Sequence, residues 1–273
     1  MKKYATLSRV IFERENVSTV DSFFHTCLVV CPMLFLAGFV DSVAGGGGLI
    51  SLPSYLFVGV PIHLASGTNK VVNAIGTGTA TWKYLRSGKV DLRTALWAAV
   101  GALAGGALGA RLALWCSEQV LQACVLAALP VAAAVMVLKR DLGQVGEERW
   151  QPRQKAALSA IIGLCTGAYD GLIGPGTGTF MILAFTLVLR MDLLTASGCA
   201  KTANLASNVA SAVVWIVGGK VLWRLVVPAA VCCVLGNWCG ARYAIRGGSA
   251  KVRRMIFVVL GLLFLKMGWE LLT

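Results

Sequence analysis

The chain has 273 residues, of which 57% are hydrophobic and only 14% are charged. A soluble domain carries about 25% charged residues, so this composition excludes an ordinary soluble protein. The apolar residues fall in runs of about 18 to 24, long enough to cross a bilayer. The net charge of +13 comes largely from basic residues clustered between these runs. It therefore indicates membrane topology and contact with anionic membrane lipid, and no nucleic-acid motif accompanies it.

The predicted elements, in chain order, form two matching sets. The first half contains apolar stretches near 24–45, 47–60, 65–86, 94–115 and 119–138, and the second contains 156–174, 176–190, 194–218, 221–245 and 252–272. We divide the chain into a cytoplasmic N-terminal segment at 1–22, a first membrane repeat at 23–138, a polar linker at 139–155 and a second membrane repeat at 156–273.

The match between the halves extends to individual residues. Asp41 and Asp170 lie 129 positions apart, whereas ASGTNK at 65–70 and ASGCAK at 196–201 lie 131 positions apart. Chance does not preserve nearly one spacing across so many polar and glycine positions. The sequence therefore predicts an internal duplication.

The second stretch of each half determines the topology. At about 15 residues, 47–60 and 176–190 are too short to span comfortably. We predict an all-α polytopic membrane protein with two homologous repeats, about eight membrane crossings and two short broken or re-entrant helices. The two repeats are then parallel, which leaves the basic loop at 242–254 outside the cell, against the positive-inside rule. If the short stretches cross instead, each half has five spans and the repeats are inverted.

Each half contains one glycine-rich break inside an apolar run. Irregular backbone at membrane depth must be buried in protein or line a wet cavity, and the helix start after it favours an anion. Close packing of small residues is the alternative. The candidate substrate-binding residues of the breaks are Gly45, Gly46, Gly47 and Gly48 in the first half, and Gly174, Gly176 and Thr177 in the second.

An acidic residue precedes each break. A carboxylate inside a transmembrane helix costs about 2.5–3.5 kcal/mol on insertion scales, so it needs a partner or a function. Asp41 and Asp170 are therefore candidates to carry a coupling proton. The alternative is that each caps the broken helix by accepting from exposed backbone amides.

A lysine follows each break, with an asparagine one helical turn later. Lysine, amide and hydroxyl donors together suit an oxyanion. The candidate residues are Lys70 and Asn73 with Thr68 and Asn69 in the first half, and Lys201 and Asn204 with Ser197 in the second. The alternatives are a Lys–Asp ion pair within each repeat, or lysines that extend to the membrane surface.

Other chemistry has little support in the sequence. The nine cysteines form no CxxC pair, and the two histidines have no metal-ligand neighbours. Metalloprotease, hydrolase and P-loop motifs are lacking. We expect no cofactor, no bound metal, no nucleic-acid partner and no enzymatic activity. The sequence leaves open whether the chain forms a homo-oligomer.

These motifs resemble those of the TauE/SafE family. The resemblance covers residues 24–272 and is closest to the branch whose members are called probable membrane transporter proteins. It rests on GFVDSVAGGGGLISLP at 38–53, ASGTNK at 65–70, GAYDGLIGPGTGTF at 167–180 and ASGCAKTANLASN at 196–208, followed by GGKV. It implies a bacterial inner-membrane permease associated with sulfite, sulfonates and related organic anions.

We therefore predict a secondary transporter for a small anion such as sulfite, a sulfonate or a related organic oxyanion, coupled to protons. One alternative is a cation or metal transporter that uses Asp41 and Asp170 as ligands. The other is a non-transporting membrane component in which the polar motifs serve packing. The second break replaces the four-glycine run with Gly-Pro-Gly-Thr, so the two half-sites are not expected to bind identically.

Overall fold

The fold is entirely helical in the part of the chain that the computed structural model describes. That part comprises residues 2–125, 127 and 150–272. Side chains are described at 23–125, 127, 150–252, 254 and 255. The helices are α1 (Lys2–Ala44), α2 (Gly48–Phe57), α3 (Ile62–Arg86), α4 (Leu92–Trp115), α5 (from 118, followed to 125), α6 (Pro152–Leu172), α7 (Thr177–Val188), α8 (Leu193–Val217) and α9 (Trp223–Leu272). The 139–149 part of the linker lies outside the described residues.

Local sequence explains where the helices begin and end. Asp91 caps α4, and Asp192 caps α8, each by accepting from two backbone N–H groups of the first turn. Pro152 stands at the first position of α6, where its missing N–H costs nothing. Gly248, with φ of 62°, interrupts α9 and divides it into segments 223–247 and 249–272.

The outer surface of the bundle is apolar. Among the residues that the structure describes, three helices are long and apolar enough to cross a membrane by length and composition: Phe23–Ala44, Leu92–Trp115 and Trp223–Val252. The exposed side chains of α4 and α9 follow helical spacing as Leu92, Leu96, Val100 and Leu103, and as Val227, Val231 and Leu235. An exposed stripe of this size would be an aggregation hazard in water, but it suits contact with acyl chains. The chain is an integral membrane protein.

Close contacts between small residues hold the longest helix pairs together. Gly101, Gly105 and Gly109 of α4 pack so tightly on α6 that an added Cβ would lie 2.0–2.2 Å from a carbonyl oxygen. Gly236 and Gly240 of α9 contact carbonyl oxygens of α1 in the same way, at 2.0 and 2.4 Å. Small residues allow backbones to approach in membranes, where the hydrophobic effect does not drive helices together.

The order of contacts gives the direction of each helix. An added Cβ on Gly67, near the start of α3, would lie 2.0 Å from the carbonyl oxygen of Lys220, just beyond the end of α8. Thr81, near the end of α3, donates to the carbonyl of Lys201 near the start of α8, at 3.1 Å. The helices α3 and α8 are therefore antiparallel. By the same reasoning α1, α3 and the 223–247 segment run one way, and α4, α6 and α8 run the other.

The two ends of the bundle differ in charge. We call the end formed by 83–93, 150–155, 188–193 and 242–254 the basic end. Its described side chains carry two carboxylates, Asp91 and Asp192, against eleven cations: Lys83, Arg86, Lys89, Arg93, Arg153, Lys155, Arg190, Arg242, Arg246, Lys251 and Arg254. At the opposite end the described charges are few, and Glu118 lies 3.5 Å from the ring of His63.

The buried apolar side chains of the described residues form two clusters. One includes Tyr84 and Leu193 and lies toward the basic end, whereas the other includes Ile62 and Trp215 and lies toward the opposite end. Between them is a layer of buried polar and charged residues, most of which come from the predicted motifs.

An ion pair at the basic end should make stability depend on pH. The Lys155 ammonium lies 3.0 Å from the Asp91 carboxylate. Burial alone would raise the pKa of Asp91, but hydrogen bonds from Lys155 and Thr94 hold it below its ordinary 3.8. A lowered folded-state pKa stabilises the fold above pH 3.8, and this contribution is lost as the pH falls through the folded-state pKa.

We expect Asp91→Asn to lower the free energy of unfolding by about 1 kcal/mol at neutral pH, since asparagine still caps the helix but cannot pair with Lys155. The difference from the wild type should shrink as the pH falls below 3.8 and vanish below the folded-state pKa of Asp91. Thermal unfolding in detergent, followed by tryptophan fluorescence across this range, measures it. Lys155→Met should give the same profile, and a difference that is constant with pH would contradict the assignment.

Candidate functional site

The two glycine breaks cross one another in the middle of the bundle. A Cβ on Gly178, in the first turn of α7, would lie 2.6 Å from the Cα of Gly45. Gly45 itself has φ of 77°, a conformation that favours glycine. The Thr179 hydroxyl donates to the carbonyl of Ala44 at 2.7 Å and fastens the crossing. The starts of α2 and α7 are thereby brought together, and each contributes the positive end of its helix dipole.

Two buried ion pairs flank the crossing, and both join one half of the chain to the other. Lys70 Nζ lies 2.8 Å from Asp170 Oδ1, and Lys201 Nζ lies 2.8 Å from Asp41 Oδ2. The alternative of a Lys–Asp pair within each repeat is therefore wrong. It fails because the antiparallel packing of α3 and α8 presents each lysine to the break of the opposite half.

The two ion pairs have different surroundings. Asp170 also accepts a hydrogen bond of 2.6 Å from Ser207, and its side chain is only 5% exposed. Asp41 is 16% exposed, and its nearest hydroxyl, that of Thr77, lies at 3.5 Å. The position of the first half that matches Ser207 in the sequence repeat is Gly76, which has no side chain to donate. The Asp41 carboxylate is thus the less satisfied and the more accessible of the two.

The ion pairs border a small polar cavity. Its volume is about 20 Å³, which is room for roughly one water molecule. Two amide oxygens near it, Asn69 Oδ1 and Asn208 Oδ1, are buried without a hydrogen-bond partner. The lining residues are Asp41, Gly45, Gly48, Asn69, Lys70, Asn73, Thr77, Asp170, Gly174, Gly178, Asn204 and Asn208. Buried orphan oxygens are costly, so they indicate a place for water or a ligand.

Nine of the predicted site residues line this cavity: Gly45, Gly48, Asn69, Lys70, Asn73, Gly174, Asn204 and the two aspartates. Lys201 reaches it only through Asp41. The others lie nearby with different contacts. Thr68 accepts from the Leu222 N–H, Ser197 donates to the Leu193 carbonyl and Thr177 donates to the Gly174 carbonyl.

The remaining glycines of the predicted set serve the helix starts. Gly47 is the N-cap of α2, and Gly176, with φ of 82°, is the N-cap of α7. Gly46 precedes α2 and is buried. Thr77, Gly178 and Asn208 line the cavity but were outside the predicted set. Thr77 and Asn208 each lie one turn beyond an asparagine of the motif, and helical spacing predicts from the sequence that they extend the polar lining.

The carboxylates do not act as helix caps in the described contacts. The hydrogen bonds recorded for Asp41 and Asp170 come from side chains. With two lysines against two aspartates, the ionised cluster carries no net charge. The converging helix starts then add the positive ends of their dipoles beside it. Within the described part of the chain, no three His, Cys, Asp or Glu residues come together as a metal site.

Comparison with known proteins finds a family and relatives that match nearly the whole chain. The family model described as sulfite exporter TauE/SafE matches residues 30–267. The "Probable membrane transporter protein ORF9" of Sinorhizobium sp is 35% identical over 239 residues, covering 88% of this chain and 91% of that protein. No solved structure matches the chain significantly.

Two further relatives bear similar names. The "Probable membrane transporter protein YfcA" of Escherichia coli strain K12 is 32% identical, over 93% of this chain and 95% of its own. A "Probable membrane transporter protein" of Haemophilus influenzae is 31% identical, over 86% and 92%. With a family match of this extent, a helical fold and an apolar outer surface, the chain belongs to the TauE/SafE sulfite exporter family of membrane transporters.

Proposed function

We propose that this protein is a proton-coupled permease for a small oxyanion, such as sulfite, a sulfonate or a related organic anion, in the inner membrane of a bacterium. The proposal rests on one observation: two buried lysine–aspartate ion pairs lie where the two glycine-rich breaks cross. Each buried cation is held by a carboxylate that can be protonated, and the helix starts beside it favour an anion.

Charge balance in the site favours coupling to protons. The cluster is neutral when both aspartates are ionised, so an added anion would leave an uncompensated negative charge at membrane depth. Protonation of Asp41 releases Lys201 from its partner and makes that lysine available to the anion. One proton taken up with one negative charge keeps the cluster neutral. A monoanion would therefore travel with one proton and a dianion with two.

The size of the cavity favours a gated site. A volume of about 20 Å³ is too small for an oxyanion of four or more heavy atoms. The apolar clusters toward the two ends of the bundle separate the site from both surfaces. Substrate entry therefore requires an ion pair to part and one cluster to open, as alternating access requires.

The helix directions support inverted rather than parallel repeats. Equivalent helices, α3 and α8, are antiparallel, as an axis in the membrane plane requires. At 10 and 12 residues, α2 and α7 rise about 15 and 18 Å, roughly half of the hydrocarbon thickness. We propose that α2 and α7 are re-entrant half-helices. Each returns to the membrane surface at which the helix before it begins.

The charge of the two ends supports an orientation. The positive-inside rule places the basic end in the cytoplasm. This includes the 242–254 loop, which parallel repeats would have left outside. Because α1 runs in the same direction as α3, its start lies at the opposite end. We therefore propose that the segment 1–22, expected from the sequence to be cytoplasmic, lies on the outer side of the membrane.

Transport by purified protein in liposomes tests the proposal. With an imposed pH gradient, we expect accumulation of sulfite or a sulfonate, and a gradient of one unit supports about tenfold accumulation for one coupled proton. A flux that ignores the gradient would remove proton coupling. A divalent cation carried instead would favour the alternative in which the aspartates are ligands, and no flux of any ion would favour a non-transporting role.

A further inference from the structure

We infer that a cleft between α3 and α9 at the basic end binds the phosphate of an anionic phospholipid. The cleft has a volume of about 400 Å³ and is separate from the polar cavity. Four cations and two indoles line it: Lys83, Arg86, Arg242, Arg246, Trp82 and Trp238. The transport cycle proposed above uses none of these residues, so this inference stands independently of it.

The two indole rings of the cleft stack on each other, and two cations lie over their faces. The Trp82 and Trp238 rings stack with centroids 5.9 Å apart and an interplanar angle of 23°. The Lys83 ammonium lies 3.6 Å from the centre of the Trp238 ring, and the Arg86 guanidinium lies 4.8 Å from that of Trp82. Cation–π contact holds these two charges in place without neutralising them. Both indoles are nearly half exposed, as interfacial tryptophans are.

The cations of the cleft have no carboxylate partner among the described residues. The ion pairs among the described residues involve other cations: His63, Lys70, Lys155 and Lys201. Lys83 instead donates to the carbonyl of Trp238 at 3.2 Å, which leaves two of its three N–H groups for a ligand. Four clustered cations with no counter-charge repel one another, so a bound anion would relieve that repulsion.

The position of the cleft favours a lipid over a soluble anion. It opens on the lateral surface of the bundle, at the level where α3 ends. Ile245 and the indole faces give it an apolar side suited to acyl chains. An anionic phospholipid satisfies both sides at once, because its phosphate meets the cations while its chains continue down the apolar surface. A free phosphate would satisfy only the first.

The sequence repeat does not account for the cleft. The positions that match Trp82, Lys83 and Arg86 in the second half are Val213, Val214 and Val217. Only one of the four cations, Arg242, has a cationic counterpart, which is Arg111. Among the described residues, the opposite end therefore has no equivalent basic cleft, as a site for a lipid of one leaflet requires.

Lipid binding at the cleft can be tested by native mass spectrometry. The purified wild-type protein is incubated with an equimolar mixture of phosphatidylglycerol and phosphatidylcholine, and the retained lipids are measured. We expect at least tenfold preferential retention of phosphatidylglycerol. The double variant Arg242→Gln/Arg246→Gln should lose most of that preference. The matched control Arg111→Gln, an exposed arginine near the opposite end, should keep it.

Thermal unfolding in detergent provides a second readout. Phosphatidylglycerol should raise the midpoint of the wild type by several degrees more than phosphatidylcholine, because a ligand that binds only the folded state stabilises it. Millimolar inorganic phosphate should not reproduce this effect. Equal retention of the two lipids, a full effect of free phosphate, or an equal loss in Arg111→Gln would each overturn the inference.

Discussion

Replacing Asp170 by asparagine should lower the free energy of unfolding by about 3–5 kcal/mol, because it leaves the Lys70 ammonium buried without its carboxylate. The Lys70 side chain is only 6% exposed, so bulk solvent compensates little for the lost carboxylate. The apparent unfolding midpoint in detergent should fall by roughly 10 °C. Tryptophan fluorescence or size-exclusion after heating measures it.

A double-mutant cycle separates the ion pair from the other contacts. Lys70→Met alone should also destabilise, since it strands the Asp170 carboxylate. The double variant Lys70→Met/Asp170→Asn should be more stable than either single variant, because neither charge is left unpaired. Strictly additive losses would show that the 2.8 Å contact carries little coupling energy.

Replacing Asp41 by asparagine should abolish the response of transport to a pH gradient while leaving anion exchange in place. The amide resembles the protonated acid and leaves Lys201 free for the anion at every pH. Accumulation under a gradient of one pH unit should fall from about tenfold to none. Liposome assays of gradient-driven uptake and of counterflow, carried out side by side, distinguish coupling from exchange.

The choice of Asp41 over Asp170 rests on its greater exposure and on the missing hydroxyl at Gly76. Asp192→Asn, at a helix cap far from the cavity, serves as the control for general effects of removing a carboxylate. If Asp41→Asn still accumulates anion under a gradient, Asp41 is not the coupling residue.

Much of the helical order was predictable from the sequence, because long apolar runs and glycine breaks have few structural alternatives. The two short stretches were placed correctly as separate helices, α2 and α7. The motif residues also pointed to one region, and nine of the predicted site residues line the same cavity. Apolar periodicity and the cost of buried charge are local properties, and they are visible in a single chain.

The partner of each lysine was not predictable in the same way. Whether Lys70 pairs with Asp41 or with Asp170 depends on whether equivalent helices run parallel or antiparallel, and the lengths of the apolar runs allow either. The difference in hydrogen bonding between Asp41 and Asp170 likewise depends on which face of α8 carries Ser207. These features arise from packing between distant segments, which a pattern along the chain does not specify.

The pairing between halves has a consequence for how the protein is made. In the sequence, 160 positions separate Asp41 from Lys201. A ribosome that adds about 5–20 residues per second takes roughly 8–30 s to cover that distance. During that interval α1 enters the membrane with a carboxylate whose countercharge has not been synthesised. Until α8 arrives, the nascent first half carries Asp41 without the lysine that pairs with it in the folded protein. Each half therefore completes its buried ion pairs only when the other half is present.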